Sequence, residues 1–309
     1  MTDLEREIRR EILSSGPMPF ERFMELALYH SQLGYYRRGR PPLGAEGDYF
    51  TNDQLQPVFG RLIARQIAAW REALGWPRDF TVVELGAGRG ATADVIRAAI
   101  PEARYVAVEH GAGGLPERFI GVVFSNEFFD ALPVRVYRAT PQGLEERRVA
   151  AGAASFVWAD GDASAAVVEV NDQAREWMAR IARSLERGFV LTIDYGYTAA
   201  EIAAARFPQG SLMGYRRHAA SADVLADPGG RDITAHVNFT ALAEEGEKLG
   251  LRAGPLRTQA EFLLALGERD EFRESLAAPT EAEADRLRRQ LKTLLFGLGE
   301  TFRVLVQEK

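Results

Sequence analysis

Two stretches of the chain hold the residues best suited to chemistry. The first is Glu84-Leu85-Gly86-Ala87-Gly88-Arg89-Gly90. Its glycines permit a tight strand-to-helix turn and let a ligand come close to the main chain. A helix that starts at such a turn offers unpaired N–H groups and the positive end of its dipole, so a phosphate or carboxylate is stabilised there. Gly86-x-Gly88-x-x-Ala91 satisfies the dinucleotide fingerprint, and Glu109 lies about 20 residues beyond it, where a ribose-binding acid belongs. A nicotinamide-dependent enzyme is therefore one reading of this stretch. Glu109 is otherwise a solvated strand-end carboxylate, and Glu84 otherwise buttresses the turn by accepting main-chain hydrogen bonds.

The second stretch is Ser125-Asn126-Glu127-Phe128-Phe129-Asp130-Ala131-Leu132-Pro133. Two carboxylates, an amide and two aromatics at the end of a strand make a poor core but a suitable floor for a site. Carboxylates can hold a cationic group and accept a proton from it. Glu127 and Asp130 are the candidates for that work, with Asn126 positioning and Phe128 or Phe129 walling the site. The bland readings are a turn-capping Asp130 and two core phenylalanines. Asp194 and Tyr195, at the end of a later strand, could add an anchor. Tyr36 and Asp48 fall in or beside a long loop rich in glycine and proline, and either order a lid or only pack. Gly34, Gly39 and Gly47 supply hinges for the lid.

The elements that must position these residues follow from periodicity. Thr2 with Glu5 makes a capping-box signature, and Leu4, Ile8 and Ile12 repeat at helical spacing. Phe20, Phe23, Met24, Ala27 and Leu28 form the stripe of a second helix, and a third runs from about Gln56 to Leu74. Strands are expected at 81–85, 105–109, 121–125 and 189–193, with a helix at 91–99 and another that carries Trp177, Met178, Ile181 and Leu185 and ends at Gly188. Residues 134–149 resemble a hairpin. Residues 210–237 are rich in turns. Thr280 caps a helix, and Phe302 to Val306 closes the chain as a strand. Strands that alternate with helices argue for a mostly parallel α/β sheet with right-handed crossovers. The expected segments are 1–76 (N-terminal helices and lid), 77–200 (nucleoside-binding core), and 201–309 (substrate-side insertion, helices and closing strands).

Composition excludes other classes. The 309 residues contain no cysteine, which removes disulfides, thiolate zinc sites and cysteine nucleophiles. The four histidines, His30, His110, His218 and His236, have no ligand-like spacing, so no metal is expected. A net charge of -6 argues against sequence-independent nucleic-acid binding. The polar N-terminus lacks a signal-peptide core, and no apolar run nears the roughly 18 residues of a membrane span. A cytoplasmic location is expected.

Glu84-x-Gly86-x-Gly88-x-Gly90 is similar to motif I of class I methyltransferases. The resemblance implies S-adenosylmethionine as cofactor, held by Glu84, Gly86, Ala87, Gly88, Gly90 and Asn126, with Glu109 on the ribose. Asn126 to Pro133 in turn resembles the signature of the MidA-type methyltransferases, whose mitochondrial members are respiratory complex I assembly factors. Phe20 to Tyr36, Gly47 to Thr51, Phe59-Gly60, Asp194-Tyr195-Gly196 and Asp232 to Phe239 match the same family in order. The resemblance implies a Rossmann-like sheet with an antiparallel C-terminal strand, an N-terminal helical segment and a C-terminal helical insertion. It also implies methylation of a protein arginine, with a complex I subunit as the acceptor of the mitochondrial relatives. In one place the chain departs from the family. Only ten residues separate His110 from Gly121, so the edge strand and helix that normally follow the second strand are expected to be missing.

Three readings remain at this point. They are the protein-arginine methyltransferase, a nicotinamide oxidoreductase without a Tyr-x-x-x-Lys pair, and an assembly factor that binds S-adenosylmethionine without turnover. A homodimer is expected if the C-terminal helices expose an apolar face.

Overall fold

Phe80–Leu85 is buried at every position, as a central parallel strand covered on both faces must be. This strand, β1, ends in the glycine turn, and the helix Ala91–Ala99 follows it. The chain then returns as β2 (Arg104–Val108), parallel to β1 on one side. β3 (Phe119–Asn126) lies parallel to β1 on the other side, so the strand order reverses at β1. β4 (Leu185–Tyr197) runs parallel to β3, and β5 (Phe302–Glu308) closes the sheet antiparallel to β4. Short pairings at Val237–Asn238, Arg252–Ala253 and Arg257–Thr258 complete the eight strands found among the described residues. In such sheets the crevice beyond the carboxyl ends, where the order reverses, is the place for a ligand.

These facts come from a computed structural model that describes residues 1–37, 52–161, 166–207, 209–217 and 219–309, without the side chains of Asp53, Ala205 and Arg206. The chain divides into two compact units: Met1–Phe50, Phe129–Glu176 and Ala199–His236 form one, and Thr51–Phe128, Trp177–Thr198 and Val237–Lys309 the other.

The second unit holds the sheet. Side chains alternate along strands, so Val82, Val122, Phe124, Leu191, Ile193 and Val304 face one way, against Phe59, Ile63 and Ile67 of the helix Val58–Ala73. Asn126, two residues beyond Phe124, extends this face at the carboxyl edge. β2 is the edge strand, as the short segment after it requires. In place of a further strand, Glu109 and Ala112 exchange main-chain hydrogen bonds in an isolated bridge. Gly111 (φ +72°) and Gly113 (φ +78°) supply the left-handed conformations that so tight a return needs.

The first unit packs the helices Asp3–Ser15 and Phe20–Tyr29 over three small sheets. The Thr2–Glu5 capping box is formed, and Phe20, Phe23, Met24, Ala27 and Leu28 are all buried. Residues Arg135–Thr140 and Gly143–Glu146 form the expected hairpin. The next strand, Arg148–Ala151, leaves it to pair with Met18–Pro19. The turn-rich region contains a three-stranded sheet of Met213–Arg216, Ala219–Ser221 and Asp232–Thr234.

One boundary differs from expectation. The helix with Trp177 and Met178 ends at Ser184, and Leu185 already belongs to β4, opposite Phe119. A register shift between Leu185 and Arg187 absorbs the change. Helical periodicity could not see this, because an apolar residue serves either element.

Candidate functional site

The sequence-derived cofactor residues gather at the carboxyl ends of β1 and β2. Gly86, Gly88 and Gly90 all adopt left-handed conformations, at φ +68°, +52° and +75°. Glu84 is buried on β1, whereas Gly88 is exposed. Glu109 follows β2 and is half-exposed, and its Oε1 accepts the Gly88 N–H at 2.9 Å. A methyl group added to Gly88 would meet nothing nearer than the Gly86 carbonyl at 4.0 Å, so the space over the turn is open. An open main-chain cradle with a carboxylate at its rim fits a nucleoside that lies on the glycines and offers a diol to the acid. Ala87 packs inward at the same turn.

Leu85 stands opposite Ser125 in the β1–β3 register, which brings Gly86 and Asn126 to neighbouring strand ends. Phe128 is buried beneath the turn, where a methyl on Gly86 would lie 2.9 Å from its Cδ2. Its ring meets Trp177 edge-on at 5.1 Å. Phe128 therefore supports the glycine turn from below.

Asn126 and Glu127 are half-buried at the end of β3. Glu127 has φ +54°, a left-handed conformation that costs a non-glycine residue about 1–2 kcal/mol. Its N–H continues the sheet by donating to the Ile193 carbonyl at 3.0 Å. Its Oε1 accepts the Asn126 Nδ2 at 2.9 Å and the main-chain N–H of Asn52 at 3.3 Å. Asp194 is fully buried, and its two oxygens accept the N–H groups of Phe128 (3.1 Å) and Tyr195 (2.9 Å). Tyr195 packs its ring on Phe302, with centroids 3.9 Å apart.

Sequence reasoning missed Asn52 and Gln259. Both are fully buried and joined by reciprocal amide hydrogen bonds of 2.7 and 3.1 Å. Asn52 also donates to Asn126 Oδ1 at 2.8 Å. No local pattern announces such a pair, since 207 residues separate its members.

The remaining candidates lie in the first unit. Asp130 is buried, and its carbonyl accepts the Ala235 N–H at 2.9 Å. Phe129 is buried, and its carbonyl accepts from Asn171 Nδ2. Tyr36 donates its hydroxyl to Asp232 Oδ1 at 2.9 Å and stacks on Tyr29. The hydroxyl of Tyr215 is pushed above its ordinary range, first by burial and then by the charges of Asp130 and Asp232. His236 lies edge-on to Phe207, and its N–H donates to Ser211. Asp48 and most of the expected lid fall outside the described residues.

Comparison with known proteins decides between the readings of the glycine turn. A crystallised protein of Burkholderia thailandensis bound to S-adenosyl-homocysteine is 30% identical, with a TM-score of 0.85, over 99% of this chain and 92% of that one. Residues 102–255 match the family model described as "Putative S-adenosyl-L-methionine-dependent methyltransferase". The chain belongs to this methyltransferase family. The methyltransferase also resembles a curated Danio rerio protein named "Protein arginine methyltransferase NDUFAF7, mitochondrial", with 26% identity over 85% of this chain and 76% of the relative. The Homo sapiens protein of the same name is 26% identical over 86% of this chain and 74% of that one.

With the family established, S-adenosylmethionine is the methyltransferase's cofactor and the nicotinamide reading falls. The expected cytoplasmic location is corrected as well, because these relatives carry mitochondrial names. That expectation leaned on the lack of a signal-peptide core and of a long apolar run, neither of which specifies a compartment. No helix among the described residues is long and apolar enough to cross a membrane.

Proposed function

We propose that this methyltransferase modifies an arginine guanidinium of a protein, and that Glu127 binds the guanidinium and accepts its proton. The observation that carries this reading is the placement of Glu127 and Asn126. A carboxylate and an amide stand half-exposed at the end of β3, one strand from the open glycine turn. The names of the curated relatives support the choice of arginine.

When bound, S-adenosylmethionine supplies a methyl group already activated by its sulfonium. The protein then has to align a nitrogen with that methyl, and alignment of this kind is worth roughly 7–11 kcal/mol. A guanidinium stays protonated in water, so one nitrogen must lose its proton as its lone pair bonds to the methyl carbon, while the carbon–sulfur bond would break with its electrons left on sulfur and S-adenosylhomocysteine as the leaving group. Glu127 suits both tasks: it holds the cation by charge-assisted hydrogen bonds and takes the proton. Asn126 orients the carboxylate. Glu109 would hold the ribose, and Gly86, Ala87, Gly88 and Gly90 would pass beside the amino-acid half of the cofactor, with Glu84 behind them. A respiratory complex I subunit is the first acceptor to test, by the family resemblance.

Incubation with methyl-labelled S-adenosylmethionine and a proteome of the source organism, followed by mass spectrometry, tests the proposal. Label on arginine that falls roughly 10²–10⁴-fold in rate with Glu127→Gln, at unchanged cofactor affinity, is the expected result. Label on another residue type would overturn the acceptor. Cofactor binding without any labelled protein would favour a non-enzymatic assembly role.

A further inference from the structure

We propose that Asn52 and Gln259 are positioning residues of the methyl-transfer site, forming a polarised amide relay that fixes the orientation of Asn126 and of the Glu127 carboxylate. The inference deepens the reading of Glu127 given above and rests on it for its catalytic consequence.

The direction of the relay is set at its buried end. The Leu294 carbonyl can only accept, and Gln259 donates to it from Nε2 at 3.3 Å. Gln259 must then turn Oε1 towards Asn52, whose Nδ2 donates to it at 2.7 Å. The Gln259 Nε2 also donates to Asn52 Oδ1 at 3.1 Å, which locks the second amide against the first. The remaining hydrogen of Asn52 Nδ2 goes to Asn126 Oδ1 at 2.8 Å. With its oxygen engaged, Asn126 presents Nδ2 to Glu127 Oε1 at 2.9 Å. The main-chain N–H of Asn52 reaches the same oxygen at 3.3 Å. Two donors on one oxygen suit a carboxylate, which when ionised only accepts.

Stability alone gives no reason for this array. The bonds that two buried amides make to each other can be exchanged for apolar groups of similar shape at little net cost. Asn52 and Gln259 are fully buried, whereas Asn126 and Glu127 are half-exposed at the carboxyl end of β3. The relay therefore runs from a sealed interior out to the proposed reaction site. It ends on a residue held at φ +54°, and backbone strain of this kind persists only where the surroundings over-determine it.

The test is a double-mutant cycle. The paired variant Asn52→Leu/Gln259→Leu, Glu127→Gln and their combination are compared with the parent. The readouts are thermal stability, calorimetric binding of S-adenosylmethionine, single-turnover transfer of labelled methyl into the source proteome, and the ¹⁵N side-chain amide resonances of Asn126. The paired variant should stay folded with a modest fall in melting temperature, because the Leu294 carbonyl loses a donor, keep its cofactor affinity, lose about tenfold or more of the transfer rate and move the Asn126 resonances. In the Glu127→Gln background the pair should slow transfer no further. Parental transfer by the pair, equal slowing in both backgrounds, or unmoved Asn126 resonances would each overturn the relay. If Glu127→Gln itself transfers at the parental rate, the reading of Glu127 fails instead, and the resonances alone still judge the relay. If the pair does not fold, Asn52→Asp is used, which puts an oxygen where Asn126 Oδ1 needs a donor at almost no change in volume. It should move the same resonances and slow transfer, and leaving both unchanged would refute the proposal.

Discussion

The carboxylate of Asp194 accepts the main-chain N–H of Phe128 at 3.1 Å, tying the end of β4 to the turn that follows β3. Its other oxygen accepts the N–H of Tyr195. Both oxygens are thus committed to backbone donors, and an asparagine could satisfy only one of them. We expect Asp194→Asn to lower stability by about 1–3 kcal/mol, the cost of a buried donor left without an acceptor. Denaturant unfolding measures this, and an unchanged midpoint would refute the pin. Methyl transfer should fall with it, because Phe128 underlies Gly86 and follows Glu127.

Glu127 carries left-handed strain that a glycine would not feel. Glu127→Gly should therefore be more stable than Glu127→Ala by about 0.5–1 kcal/mol, the left-handed penalty of alanine less the extra unfolded-state entropy of glycine. Both variants should lose methyl transfer. A glycine variant no more stable than the alanine one would show that the conformation at Glu127 is not held as described.

The glycines of the turn separate two effects. At Gly88 an added methyl meets open space, so Gly88→Ala pays only the left-handed penalty of about 1–2 kcal/mol. The same methyl would stand where the cofactor approaches the main chain. Calorimetry should show S-adenosylmethionine affinity weakened about tenfold or more, equivalent to at least 1.4 kcal/mol of binding. At Gly86 the methyl would collide with Phe128, so Gly86→Ala should lose more stability than Gly88→Ala. The reverse order of stabilities would contradict the packing under the turn.

Glu169 gives a pH dependence confined to the first unit. Burial raises its carboxyl above the ordinary 4.5, and the N–H groups of Ser211 and Leu212 oppose that shift only in part. A folded value above the unfolded one means that the folded chain holds its proton more tightly. This stability is fully present below the unfolded value and is lost as the pH rises through the folded value. Glu169→Gln removes the titration and keeps an oxygen to accept both bonds. Relative to the parent, the variant should gain in melting temperature as the pH moves from acidic to mildly alkaline. A constant difference across that range would show that Glu169 does not titrate this way.

Much of this protein was legible in local pattern. Alternation and helical spacing are properties of a few consecutive residues, and they located the strands, the helix behind the glycine turn and the capped ends at Thr2 and Thr280. The short gap after Glu109 announced the missing edge strand, because so few residues cannot hold both a strand and a crossover. Glycine spacing alone left two cofactor readings standing, and the choice came from relatives.

Tertiary structure decided what joins distant segments. Asn52 reaches Asn126 across 74 residues and Gln259 across 207, and Asp194 reaches Phe128 across 66. A hydrogen bond of that kind leaves no mark on neighbouring residues, since any buried asparagine looks the same in sequence whether its partner is water, backbone or another amide. The conformation of Glu127 belongs to the same class. Nothing in Asn126-Glu127-Phe128 requires a left-handed glutamate; the ladder to Ile193, the grip of Asp194 on the next residue and the donors at its carboxylate impose it together.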